Sequence, residues 1–406
     1  MNDISIPLPM SFVNQMVSLL GIDEFNDFFK VMLPQIPTSI RVRSSESCPF
    51  EDLIEGEVPW CKGGYYLRER PSFTMDPLLH AGAYYVQEAS SMFIAHLIGQ
   101  YIKHPVTALD LCAAPGGKST LLLSHLPEGS TLIANEINHK RANILAENIG
   151  KWQGVVPSQG NKNTVQAIVT NNQASDFSQL GEEQFDFILC DVPCSGEGMF
   201  RKDYDAIKEW STENVKMCAR RQKDIISDIW ESLKPGGIMI YSTCTYNTQE
   251  NEENILWISG TLGAEILPSN PLPEWNITGN LLKGETFPCC HFLPHKTKGE
   301  GFFCAVLRKL PNDETAKPTD TKKLLERTKK LHIIPTCQFQ PTESTCETDQ
   351  ATALRYLHGD AITLPQGTPL GIVTLTYQSQ PIGQVKNIGT RANNLHPKEW
   401  RIKKQI

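Results

Sequence analysis

The chain has 406 residues, 40% of them apolar and 20% charged, with a formal net charge of −7. That length exceeds one ordinary core and predicts two or three domains, while the acidic balance argues against a protein coated in basic surface for nucleic acid. No apolar run approaches the roughly 18 residues of a spanning helix, and "MNDISIPLPMSFVNQ" lacks the charged and apolar regions of a signal peptide, so no membrane contact and a cytoplasmic location are expected. The twelve cysteines are scattered without an even framework, which predicts free thiols in a reducing compartment. No metal is expected, because Cys190 and Cys194 are too widely spaced for a Cys-x-x-Cys pair and Cys289 and Cys290 are adjacent with no second pair.

Residues 1–85 mix helical periodicity ("SFVNQMVSLLG", "FNDFFKVML") with the irregular "VPWCKGGYYLRERPSFTMDP", which predicts a small mixed domain. From 86 to 310 short apolar runs alternate with helical stretches: "VTALDLCA", "STLIANE", "QAIVTN", "FDFILCDV", "GIMIYST" and "GFFCAVLRK". This alternation predicts an α/β domain with a mostly parallel sheet. Residues 311–332 are polar and Pro-containing and are expected to be a linker, and 333–406 carry short alternating runs that predict a β-rich domain. Lys and Arg concentrate in 321–332 and 396–406, either as RNA-facing patches or as solvated faces.

In "VTALDLCAAPGGKST" a strand ends near Leu111 and a small-residue loop runs through Cys112, Ala113, Ala114, Pro115, Gly116 and Gly117 to Lys118 at a helix start. In an open parallel sheet such a loop lets backbone approach a nucleotide-like ligand at the strand ends. The loop is neither Gly-x-Gly-x-x-Gly nor a phosphate loop. Glu136, twenty residues past Gly116 and ending "STLIANE", is placed to accept ribose hydroxyls. A ribose site without a pyrophosphate cradle points to S-adenosylmethionine rather than NAD.

Asp191 ends the expected fourth strand and Cys194 follows in a turn, while Cys244 lies just beyond the fifth. Adjacent parallel strands bring these tips together. Carbon 5 of a pyrimidine becomes nucleophilic once a thiolate has added at carbon 6, so one cysteine can attack while the other assists release. A carboxyl group at ring nitrogen 3 would stabilise the charge that builds. Cys112 and Cys190, inside apolar runs, are expected to be packing residues.

These motifs resemble those of the RNA 5-methylcytosine methyltransferases of the Nop2/Sun family, and more closely the bacterial multi-site branch that acts on small-subunit ribosomal RNA. The matching segments are "LDLCAAPGGKST", "DVPCSGEGMFRKD", "YSTCTYNTQENEENI" and, upstream, "SIRV" and "HAGAYYVQEASSM"; "HFLPHKTKGEGFFCAVLRK" extends the match to about residue 309. The resemblance implies a Rossmann-like class I methyltransferase domain with a seven-stranded sheet, an N-terminal RNA-binding extension and a PUA-like C-terminal domain. It implies that Cys244 is the nucleophile, that Cys194 promotes product release, and that Asp191 contacts the base with Lys118 and Arg201 nearby. Residues 112–118, Glu136, Arg141, Asp191 and Pro193 match cofactor-binding positions, and Asn172 stands where relatives carry an acid for the adenine amine. Arg43 stands where relatives often carry Asn. Lys386, Arg391, Lys398 and Arg401 are candidate phosphate contacts.

The expected substrate is 16S ribosomal RNA or the small subunit, acted on by a monomer. An rRNA-binding assembly factor and a tRNA cytosine-5 methyltransferase remain as alternatives. Two appended domains and paired cysteines speak against a small-molecule methyltransferase.

Overall fold

The computed structural model describes residues 8–32, 36–43, 48–154, 165–310, 321–336 and 342–403. Strands β1 (Thr107–Asp110), β2 (Thr131–Asn135), β3 (Gln166–Thr170), β4 (Phe185–Asp191) and β5 (Leu233–Thr243) run parallel in the order β3-β2-β1-β4-β5. Two more, β6 (Ala264–Leu267) and β7 (Phe302–Lys309), continue it as β5-β7-β6, with β7 antiparallel to both neighbours. Six of these seven strands are the apolar runs read from the sequence; β6 is the one that no such run marked, and the total of seven is the number the family resemblance implies. Alternate residues feed opposite cores: Leu132, Leu189 and Ile240 face one layer of helices, and Ile133, Ile188 and Met239 the other. Burial on both faces is why the central strands β1, β2 and β4 read as unbroken apolar runs. Chain order reverses between β1 and β4, and the loops after these strands open a crevice there.

Two short additions bring the sheet to nine strands: Cys290–Phe292 beside β7, and Ile333–Ile334 antiparallel to β3. The second corrects the expected linker and the expected start of the C-terminal domain. Residues Thr321–Thr328 form a helix, and Leu324 and Leu331 are buried in the core beneath β4 and β5. The polar composition of 311–332 hides a short amphipathic helix whose following strand covers the otherwise open edge of β3. Residues 311–320 lie outside the described residues.

The N-terminal region contributes helices Met10–Leu20 and Ile22–Val31 and a four-stranded antiparallel sheet containing Thr38–Val42 and Tyr84–Val86. Its helices bury Phe12 and Phe28 against Phe200, Trp210 and Tyr246 of the methyltransferase-like domain, with the Phe12 and Phe200 rings 5.0 Å apart. The C-terminal domain packs helix Gln350–His358 on a four-stranded sheet, and its core takes in Ala81 from the N-terminal region. Arg43 joins all three parts. Its Nη2 donates to Gln380 Oε1 at 2.8 Å and its Nη1 lies 3.4 Å from the carbonyls of Ala81 and Trp152.

Arg41, two residues earlier, is buried and has no carboxylate partner among the described residues. Its Nε donates to Gln87 Oε1 at 2.9 Å, its Nη2 to Thr120 Oγ1 at 2.6 Å, and its guanidinium lies 4.2 Å from the Trp152 ring centroid. Burial pulls its pKa down to about 10, still far above neutrality, so the cation persists. The arginine therefore welds the N-terminal sheet to the helix that opens at Gly117. We expect Arg41→Leu, which strands Gln87 Oε1, to lower stability by about 2–4 kcal/mol. Chemical denaturation would read this, and an unchanged midpoint would show that the weld carries no stability.

Candidate active site

The residues Cys112–Pro115 form the loop after β1, and Gly117–His125 the helix that follows. Below the loop, Ser119 Oγ donates to Asp110 Oδ2 at 2.6 Å and fixes the helix start to the strand end. Burial pushes the Asp110 carboxyl up to about 7, against the Ser119 hydrogen bond. The loop borders a cavity of about 340 Å³ that also meets Lys118, Asp191 and Cys244. Cys112 is half-buried on this wall, with its thiol pushed up by burial, whereas Cys190 is wholly interior.

Register decides how the reactive groups meet. Asp191 on β4 pairs with Ser242 on β5, so Cys194 and Cys244 leave their strands side by side. Their sulfur atoms lie 3.3 Å apart. Ser242 Oγ donates to Asp191 Oδ1 at 2.7 Å, and Lys118 Nζ donates to Oδ2 at 2.9 Å. Burial alone would lower the Lys118 pKa; attraction to Asp191, and to Cys244 as a thiolate, outweighs it and raises the pKa. The Cys194 thiol is held well above its ordinary value, first by its hydrogen bond with Cys244 and then by burial. Cys194 is therefore a protonated thiol beside a sulfur that has the half-buried Lys118 cation in its field.

Close approach of the two loops needs Gly198, whose N–H donates to the Cys244 carbonyl at 2.8 Å. A Cβ there would fall 2.7 Å from that oxygen.

Other expected residues lie farther along the strand tips. The Glu136 carboxylate, at the end of β2, accepts from Asn138 N–H at 2.8 Å and faces Arg141 at 3.4 Å. Arg141 also donates to the Ala114 carbonyl at 2.6 Å, so it braces the loop. Glu136, Arg141, Gly116 and Pro193 stand outside the wall of the cavity itself. The Pro193 carbonyl instead accepts from Gln222 at 3.0 Å. Asn172 is already engaged: its Oδ1 accepts from His332 N–H at 3.1 Å and its Nδ2 donates to Asp176 at 3.4 Å. Arg201 donates to the Gly299 carbonyl at 3.0 Å.

Several wall residues had no assigned role from sequence. Tyr85, Gln87 and Glu88 come from the N-terminal region, and Lys202 pairs across the cavity rim with Glu300 at 2.5 Å. The quoted "YYVQEASSM" was the only signal for the first three, and spacing alone gives no distance from Cys244. The trio Glu252, Cys289 and His291 also comes together, its ligand-type atoms within 4.8 Å of one another and all buried. Glu252 Oε1 and His291 Nε2 are 2.7 Å apart and are each other's hydrogen-bond partners.

The model of the family described as 16S rRNA methyltransferase RsmB/F matches residues 102–308. Models of the N-terminal domain of 16S rRNA methyltransferase RsmF and of the methyltransferase RsmF PUA domain match 8–89 and 343–402. The ribosomal RNA small subunit methyltransferase F of Salmonella arizonae is 28% identical over 97% of each chain. That of Salmonella heidelberg is 37% identical over 75% of this chain and 64% of its own. Among solved structures, a methyltransferase homolog protein from Pyrococcus horikoshii has a TM-score of 0.62 at 26% identity, covering 75% of this chain and 96% of its own. NSun6 from the same organism, with SFG, shares the fold at a TM-score of 0.59 and 18% identity, over 75% of this chain and 99% of its own. With its catalytic core, both flanking domains and a full-length relative all matched, the chain belongs to the RsmB/F family of 16S rRNA methyltransferases.

Proposed function

We propose that this protein transfers a methyl group from S-adenosylmethionine to carbon 5 of cytosine in 16S rRNA, with Cys244 bonded covalently to the base during the reaction. The observation that carries this reading is the pair of sulfur atoms 3.3 Å apart, of which Cys244 shares the wall of the cavity with the Lys118 and Asp191 ion pair. The matched family supports RNA of the small subunit as substrate. No helix among the described residues is long and apolar enough to cross a membrane, which accords with work on ribosomal RNA in the cytoplasm.

The cradle suits the cofactor. Small residues Ala113 and Ala114 leave the backbone approachable, Glu136 presents a buried carboxylate at the end of β2, and Asp191 places negative charge beside the cavity. When bound there, the cofactor supplies a methyl group on a positively charged sulfur. Residues 112–118, Glu136 and Asp191 would hold it.

Lys118, charged across the neutral range, sets a cation in the field of the Cys244 sulfur, which attacks as its thiolate. That thiolate forms a bond to carbon 6 of cytosine, and the electrons of the 5,6 double bond shift toward ring nitrogen 3. Asp191, with its two partners fixing its plane, is the group to hold a proton at that nitrogen. Once carbon 5 carries the methyl group, its proton passes to water acting as the base, the 5,6 double bond re-forms, the proton at nitrogen 3 returns to Asp191, and the carbon–sulfur bond breaks with its electron pair returning to Cys244. Cys194, the neighbouring sulfur, assists this last stage. To reach Cys244 the target base must leave its stack, which costs a few kcal/mol. RNA gripped by the N- and C-terminal domains offsets that cost, with exposed Arg391 and Lys386 as phosphate contacts.

Three outcomes test these roles on small-subunit rRNA with the cofactor present. Cys194→Ala is expected to accumulate a protein–RNA species stable on a denaturing gel, and Cys194→Ala/Cys244→Ala to lose it; methyl transfer with no such species would sink the covalent route. For Asp191→Asn, an amide that holds a proton less readily, turnover should fall by about 10²-fold or more. Gly198→Ala should lower turnover by at least tenfold, since overpacking costs about 1–3 kcal/mol, while cofactor binding measured by calorimetry stays near wild type.

A further inference from the structure

The two cysteine loops are held together by two buried carboxylates that point in opposite directions. Glu250, on the Cys244 side, accepts the N–H of Ser195, the residue after Cys194, at 3.0 Å. The same carboxylate accepts from Gln222 Nε2 at 2.7 Å and Asn247 Nδ2 at 2.8 Å. Glu197, on the Cys194 side, accepts the N–H groups of Tyr246 and Asn247, the second and third residues after Cys244, at 2.7 and 3.0 Å. Its other oxygen takes Trp210 Nε1 at 3.1 Å and, from the N-terminal helices, Gln15 Nε2 at 2.8 Å. Both side chains are fully buried, and neither carboxylate has a cationic partner within salt-bridge distance among the described residues.

A buried carboxylate without a cation is expensive to retain for stability alone. Backbone N–H groups aimed at a charged oxygen make short, strong bonds, and a bond from each loop to the other fixes both loops in one arrangement. Neither glutamate touches the cavity. We propose that Glu250 and Glu197 are reciprocal positioning residues that divide the two thiol tasks: Glu250 places Cys194 for product release, and Glu197 places Cys244 for attack on the base.

This rests on the cysteine roles proposed above, and the experiment separates the two. Purified full-length Cys194→Ala, Glu250→Gln and Glu197→Gln proteins are incubated with small-subunit rRNA and S-adenosylmethionine, then run on denaturing gels. Glutamine keeps the shape but turns an amide N–H group toward donors. We expect Glu250→Gln to accumulate the RNA-linked species although Cys194 is present, with released methylated product down at least about tenfold. Glu197→Gln in the Cys194→Ala background is expected to form that species at least about tenfold more slowly. A purely structural role would instead lower adduct and product in the same proportion, and that result overturns the proposal. Absence of the species in Cys194→Ala itself would instead overturn the cysteine roles.

A second measurement reads the geometry without catalysis. Treatment with diamide oxidises the two thiols to a disulfide, diamide taking up both protons and both electrons, and mass spectrometry follows the Cys194 to Cys244 cross-link. Wild type should cross-link readily, and Glu250→Gln, or Glu250→Asp if the amide variant does not fold, at least about tenfold more slowly. Equal rates would overturn the proposal.

Discussion

The whole site depends on the register of one strand pair. Because β4 and β5 are parallel neighbours with Asp191 opposite Ser242, residues fifty apart in the chain reach the same edge of the sheet at the same height. A slip of one residue would turn Asp191 to the other face, away from Lys118 and Ser242. The register is secured by the alternation of buried side chains, with Ile188 and Met239 to one core and Leu189 and Ile240 to the other. Chemistry at the strand tips is thus paid for by packing along the strand bodies.

Electrostatics then separates two thiols that are chemically alike. Cys194 faces Cys244 and the field of buried Glu250, and both oppose its ionisation. Cys244 is the sulfur that shares the field of Lys118, which is itself kept charged by Asp191. One carboxylate therefore serves two ends: it anchors the lysine and it faces the space where the base would sit. The asymmetry follows from position on the sheet, since Lys118 opens the helix after β1, next to β4.

The flanking regions are part of the site's architecture. Residues of the N-terminal sheet form one wall of the cavity, Arg41 fastens that wall to the loop helix, and Gln15 reaches Glu197 behind the cysteines. Arg43, at the position where Asn was expected, binds the C-terminal domain through Gln380, so its task here is architectural. Both end domains are thus attached to the walls and supports of the same cleft.

From sequence alone, six of the seven strands, the loop at 112–118 and the places of Asp191 and the two cysteines at strand tips were legible, because strands buried on both faces leave unbroken apolar runs and ligand-facing residues sit just past their ends; β6, four residues with an exposed Glu265, left no such run. The helix at 321–328 and the strand at 333–334 were not, since about two amphipathic turns or two paired residues leave no clear period to detect in a polar stretch. Asn172 stands where relatives carry an acid for the adenine amine, and its side chain serves His332, a contact 160 residues away that no local pattern records. Glu197 and Glu250 carry no role in the sequence reading; only folding shows them buried, each holding the other's loop. The sequence by itself determined which chemical groups exist and which strand tips carry them, because both follow from local patterning. Tertiary structure alone decided their distances, charges and supports, because these arise from pairings between segments whose separation no local period records.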